Sequence, residues 1–385
     1  MENIIVFINY SNQIPIVLGM FGKENLEYQS KFDTMEFDNT NTQIYYHPKL
    51  NSKIYFYRHL GDFLNESDDF FNKFANCLFF VENLDNKYVI DKVNRIPNSK
   101  KLFIWHYAEV FEKGFIDKIK SIKYDFILSG SNRPELIGNN FELDLLLPFR
   151  YFRYYIGYYY LEELVSNIPI PKYDTNKSKV FSYIRANRDS SWRKQFIDSI
   201  DGLSSLLNPK NSANDAYDLL YPKYKHFEAI NDYIYCNFNL LFETINPKNN
   251  VEYFITEKTF KGLFFGKPIL LVASYPILNF LKEKGFYIGN FEFINKINSE
   301  NDMKQSIQNF TNWINSASTN EIESKYNQML ELSINNKKVL FDYLNDYSKI
   351  ELIFKKILNG EININNKNKN SYIFYFLFFF TKGLS

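Results

Sequence analysis

The sequence predicts an α/β protein made of two alternating strand and helix blocks and a helical C-terminal extension. Three observations carry that reading. Apolar runs alternate with helix-compatible segments between residues 65 and 130, the same alternation restarts at 179, and from 302 to 358 the apolar spacing is helical almost throughout. A chain of 385 residues is also too long for one small core and favours two domains or three.

In the first block, Ile4 to Asn9 reads as a buried strand, and QIYYH and KIYFYRHL between 43 and 60 read as further strands. Asn65 to Ala75 is helix-compatible, 77 to 82 a strand, Asn86 to Val93 a short helix and 101 to 107 a strand. Glu112 to Ile122 reads as a helix and 124 to 130 as a strand. Such alternation implies a parallel sheet with helices on its faces, and ligands of such sheets bind at the carboxyl ends of the strands. Those ends carry Glu82, then His106 and Glu109, then Ser129, Ser131 and Arg133. A Tyr-rich run from Arg150 to Tyr160 and a Pro, Asn and Lys-rich run from 167 to 179 mark the interdomain link.

The second block opens with KVFSYIRAN (179 to 187), a strand running into a polar turn, and Ser190 or Ser191 can cap the following helix with Arg193 and Phe196. Lys223 to Ile230 looks helical, and 232 to 244 is a strand. The clearest stretch is FITEKTFKGLFFGKPILLVA, Phe254 to Ala273. Thr256 caps a helix, Gly266 stops it, and Pro268 opens a buried strand. Phe260, Leu263 and Phe264 form its packing stripe, whereas Glu257, Lys258 and Lys261 lie away from that stripe. The helix N-terminus and Lys258 together favour an anion, most naturally a diphosphate; the plain alternative is an ordinary αβ unit with a solvated turn. Residues 276 to 285 read as a helix ended by Gly285, and Phe286 to Ile288 as a short strand. Helices follow from Asp302 to Ile314 and from Glu321 to Leu358, and one or more of them is expected to lie back across the first block. Residues 360 to 370 are low in complexity.

Composition narrows the function. Lys and Arg number 45 against 44 Asp and Glu, a net charge of +1, so no global field draws the chain to nucleic acid or an acidic membrane. The 39 Phe and 30 Tyr reflect a compositional bias, which weakens any aromatic cluster as a binding platform. Cys77 and Cys236 sit in apolar runs without ligand spacing and read as buried thiols of a reducing compartment. The N-terminus lacks the pattern of a secretory signal. The apolar run Ser371 to Phe380 has about half the length of a spanning helix, so no transmembrane segment is expected and the location reads as cytoplasmic, the host's cytoplasm for a viral chain. No Asp-x-Asp pair follows a predicted strand and the four His lack ligand spacing, which disfavours a metal site.

Three pieces of the second block, in order, resemble the donor-binding domain of GT-B glycosyltransferases, specifically the α1,3-fucosyltransferase family and related viral and phage glycosyltransferase-like proteins. They are FSYIRANRDSSWRKQF, NLLFET and FITEKTFKGLFFGKPIL, and they span about Lys179 to Phe286. The resemblance implies two Rossmann-like domains facing a cleft: an acceptor domain at 1–170, a nucleotide-sugar donor domain at 171–300, a helical region at 301–358 packing back on the core, and a low-complexity, aromatic tail at 359–385. It implies an inverting, metal-independent transfer of a hexose or fucose from a GDP- or UDP-linked sugar to a hydroxyl acceptor such as a glycan, with no further cofactor. Lys258 and Arg193 would stabilise the departing diphosphate, with Arg185 and Arg188 as further phosphate contacts; Arg193 could equally be a surface i,i+4 partner. Asn187, Thr256, Glu243 and Glu257 fall on matching donor-site positions, the two carboxylates as acceptors for sugar or ribose hydroxyls. Glu109 is the candidate base, with Glu82 behind it. The alternatives are transfer to a modified DNA base and a non-catalytic sugar- or nucleotide-binding viral protein.

Overall fold

The structure, a computed structural model, describes residues 2–8, 43–47, 50–57, 60–81, 87–96, 100–106, 117, 122, 124–130, 141–150, 172–176, 178–182, 236–243 and 255–362. Among these residues it is an α/β protein with two sheets. The first has seven strands in the order β2-β3-β1-β4-β5-β6-β7, with β1 Asn3–Ile8, β2 Gln43–His47, β3 Ser52–Tyr57, β4 Asn76–Val81, β5 Lys100–His106, β6 Phe126–Ser129 and β7 Phe141–Leu143. All pairings are parallel except β2 with β3, which makes β2 an antiparallel edge. The second has three parallel strands in the order β10-β9-β8, with β8 Ser178–Ser182, β9 Cys236–Phe242 and β10 Ile269–Val272.

The apolar runs of β1 and β4 are buried on both faces because both faces of the first sheet are covered. Ile4, Val6, Cys77 and Phe79 face α1 (Leu60–Asn65) and α2 (Lys87–Arg95), meeting Phe63, Val89 and Val93. Ile5, Phe7, Leu78, Phe80, Phe103 and Trp105, the alternate positions, face the last helix, α7 (Ser348–Leu358). Phe354 of α7 sets its ring edge-on to Phe103, with centroids 4.9 Å apart. The predicted helix over 65 to 75 is instead α1 followed by a 3-10 turn, Asp68–Lys73, because Ser67 caps a fresh start by accepting the Asp69 N–H.

Around the second sheet lie α3 (Glu257–Phe265), α4 (Tyr275–Glu283), α5 (Glu300–Ser316) and α6 (Thr319–Asn345). The α6 stripe of Ile322, Tyr326, Met329, Leu330, Leu340 and Leu344 is buried in the same cluster as β9, β10 and α3. That cluster also takes in Leu145, Leu146 and Phe149, from the turn after β7.

Residues 286 to 288, expected as a strand, form no ladder. A side chain stands in for it: the Asn336 amide accepts the Tyr287 N–H and donates to the Tyr287 carbonyl, both at 2.7 Å. The Asn290 amide does the same for Leu271, at 2.7 and 2.6 Å, and so caps the outer edge of β10. Gly289 makes that approach feasible, since its φ is 75° and an added Cβ would lie 2.2 Å from the Ile269 carbonyl oxygen. Cys77 and Cys236 are buried thiols, their Sγ atoms donating to the Phe71 carbonyl and the Asn239 Oδ1. Among the described residues, no helix is long and apolar enough to cross a membrane. The expected helices at 112 to 122, 190 to 200 and 223 to 230 lie outside the described residues, apart from single positions at 117 and 122.

Candidate functional site at the mouth of helix α3

The parallel strands β8, β9 and β10 end at one edge of the second sheet, and the residue after β9 is Glu243. Its N–H continues the ladder to the Val272 carbonyl at 2.9 Å. From that edge α3 begins, and its start is built as its sequence dictates. Thr256 holds extended backbone, with φ −104° and ψ 178°, and its hydroxyl accepts the Lys258 N–H at 3.3 Å. Gly266 ends the helix in the left-handed region at φ 62°, with its N–H on the Leu263 carbonyl. Phe260, Leu263 and Phe264 are buried as expected from their spacing.

The other side of α3 is not solvent, as its sequence had suggested. Lys258 and Lys261 are 8% and 5% exposed. A helix covered on all sides buries its polar residues with its apolar ones, and buried polar groups need partners. The Lys258 Nζ lies 3.5 Å from the Thr256 Oγ1. Glu243 is fully buried, and its Oε1 accepts two bonds, from the Thr256 N–H at 2.9 Å and from the Thr259 hydroxyl. Its Oε2 is also closed to solvent and has no hydrogen-bond partner among the described residues.

Two opposite charges therefore share one helix N-terminus. The carboxylate is where the helix dipole favours it, and the ammonium is where the dipole disfavours it. A lysine in the last turn would instead meet the negative end of the dipole. Among the described residues, no group of three or more His, Cys, Asp or Glu is placed to hold a metal ion.

The structure thus brings together Glu243, Thr256 and Lys258, which lie up to fifteen positions apart in sequence. It adds Thr259, which the sequence reading missed although a threonine three residues after the cap is placed to reach back to the strand end. Glu257 stands at the first position of α3, where its backbone is described and its side chain is not. Glu82, Glu109, Arg185, Asn187, Arg188 and Arg193 lie outside the described residues. His106 ends β5 at the carboxyl edge of the first sheet, described in backbone alone.

The sequence matches no protein-family model. No curated protein matches it either. Among solved structures, the chain is similar to the β-glucosyltransferase of T4 phage, with 12% identity and a TM-score of 0.36, over 93% of this chain and 100% of that one. A likeness at that score carries no argument about function.

Proposed function

We propose that the chain is a glycosyltransferase of GT-B architecture that moves a sugar from a nucleotide-sugar donor to a hydroxyl acceptor. The observation that carries the reading is the buried Lys258 ammonium at the N-terminus of α3, at the carboxyl edge of a parallel sheet. Local rules of stability are broken there, and such breaks concentrate at functional sites.

In this reading residues 1–170 hold the acceptor and 171–300 the donor, with 301–358 packing back on the core. As the glycosidic bond breaks, negative charge grows on the terminal phosphate of the leaving nucleoside diphosphate. Lys258 and the N–H groups of α3 stabilise that charge, and Arg193 joins them, with Arg185 and Arg188 as outer contacts. Glu109 takes the proton from the acceptor hydroxyl as its oxygen attacks the anomeric carbon from the opposite face, which inverts that centre. Asn187, Thr256 and Glu257 hold the donor. The protein's own cations do the electrostatic work at the diphosphate, so no metal is required.

Titration calorimetry with GDP, UDP, ADP and CDP tests the reading. Binding of at least one is expected; folded protein that binds none of them contradicts it. Lys258→Ala is expected to cut transfer by about tens to thousands of fold, the range for loss of one charge-stabilising donor.

A further inference from the structure

Glu243 stood in the sequence as an acceptor for donor hydroxyls, and its surroundings argue for another task. We propose that Glu243 is a positioning residue, which fixes the mouth of α3 and, through Thr256 and Thr259, the place of the Lys258 ammonium. This deepens the reading of Lys258 as the cation that faces the phosphate, and it rests on that reading.

The links are continuous. The Glu243 Oε1 takes the backbone N–H of Thr256 and the hydroxyl of Thr259, one residue on either side of the Glu257–Lys258 pair. The Thr256 hydroxyl in turn accepts the Lys258 N–H and lies 3.5 Å from the Lys258 Nζ. A shift of the carboxylate therefore moves both ends of the first turn of α3, and Lys258 with them. With neither oxygen open to solvent, the carboxylate has no exposed face to offer a ribose or a sugar. Its charge also matters. Placed at the positive end of α3, it offsets the repulsion between the helix dipole and the Lys258 ammonium, and so lets a buried cation stand where a phosphate can reach it.

The test uses Thr259→Val, which removes one donor to Glu243 and keeps the side chain's shape, and Thr259→Ser, which restores the hydroxyl. Removing Glu243 itself would orphan the buried Thr256 N–H and endanger the fold. Two readouts are taken on the full chain: affinities for UDP, GDP and inorganic pyrophosphate, and the rate at which an amine-acylating reagent labels Lys258, read by peptide mass spectrometry. Thr259→Val is expected to weaken the bound nucleotide and pyrophosphate by the same factor, about 3- to 10-fold, and to speed Lys258 labelling, with both effects reversed in Thr259→Ser. A loss confined to the nucleotide, with pyrophosphate unaffected, would assign Glu243 to the ribose and overturn the proposal. So would labelling that is the same in all three proteins. If labelling follows the expected pattern while the wild-type chain binds none of the ligands, the positioning role stands and the glycosyltransferase reading falls.

Discussion

Among the described residues, Lys92, Lys101 and Arg150 bring their charges to the C-terminal ends of α1, α7 and α6, whereas Lys258 sits at the N-terminal end of α3, with Lys261 and Lys267 buried further along the same stretch. Lys92, 2% exposed, donates to the carbonyls of Leu64 and Glu66, which close α1. Lys101 donates to the Leu358 carbonyl at the end of α7, at 2.8 Å. Arg150, 3% exposed, gives its guanidinium to the carbonyls of Tyr343, Leu344 and Asp346 where α6 ends, and lies between the rings of Tyr343 and Tyr347. Each of these cations adds a donor to carbonyls in the last turn of a helix or just beyond it and meets the negative end of its dipole. Burial alone therefore does not separate a structural cation from a functional one. In the proposed reading Lys258 is set apart by its place at the start of its helix.

The contrast can be broken by experiment. The largest effect on stability belongs to the apolar side of the first sheet: Phe354→Ala removes the ring that packs edge-on against the stacked Phe80 and Phe103 and is expected to cost about 3–5 kcal/mol in urea unfolding. A smaller loss would mean that α7 is only loosely seated. Arg150→Met keeps the packing and takes the buried donor from the Leu344 and Asp346 carbonyls, for an expected loss of about 2–4 kcal/mol. Burial pushes the Tyr343 phenol up, so it remains a donor to Asp144 at 2.8 Å and does not replace the arginine.

The smallest effect lies at the start of α6. Ser318 and Glu321 form a reciprocal cap, and Ser318→Ala is expected to cost about 1 kcal/mol. Hydrogen bonds from the Ser318 hydroxyl and backbone hold the Glu321 carboxyl below its usual range. Its folded value is therefore below the unfolded one, so its contribution is complete above the unfolded value, near ~4.3, and disappears as pH falls through the folded value. The difference between wild type and Ser318→Ala should narrow over that acid interval in a pH series of unfolding curves.

What the sequence made legible was local. The Thr256 cap, the Gly266 stop and the strand after Pro268 follow from rules acting over a few residues, and all three stand in the structure. The parallel sense of most of the first sheet followed from strand and helix alternation. Strand β7 was missed because three residues, Phe-Glu-Leu, carry no periodicity, and the antiparallel sense of β2 depends on pairing rather than on pattern. The mistaken strand at 286 to 288 has the same origin: its backbone groups are satisfied by the side chain of Asn336, 49 positions from Tyr287. At the candidate site, Lys258 stood out by its type and place. The burial of Lys258 and Lys261, and the bond from Thr259 to Glu243, arise from tertiary packing that no spacing along the chain encodes.

The central claim is that Lys258 serves a ligand rather than the fold, and Lys258→Met set beside Arg150→Met tests it most directly. Melting temperature and affinity for whichever nucleoside diphosphate binds are measured on both proteins. Lys258→Met should lose about 10- to 100-fold in affinity, with a fall in melting temperature smaller than that of Arg150→Met. A fall in melting temperature like that of Arg150→Met, with affinity unchanged, would show that Lys258 is one more structural cation and would contradict the account.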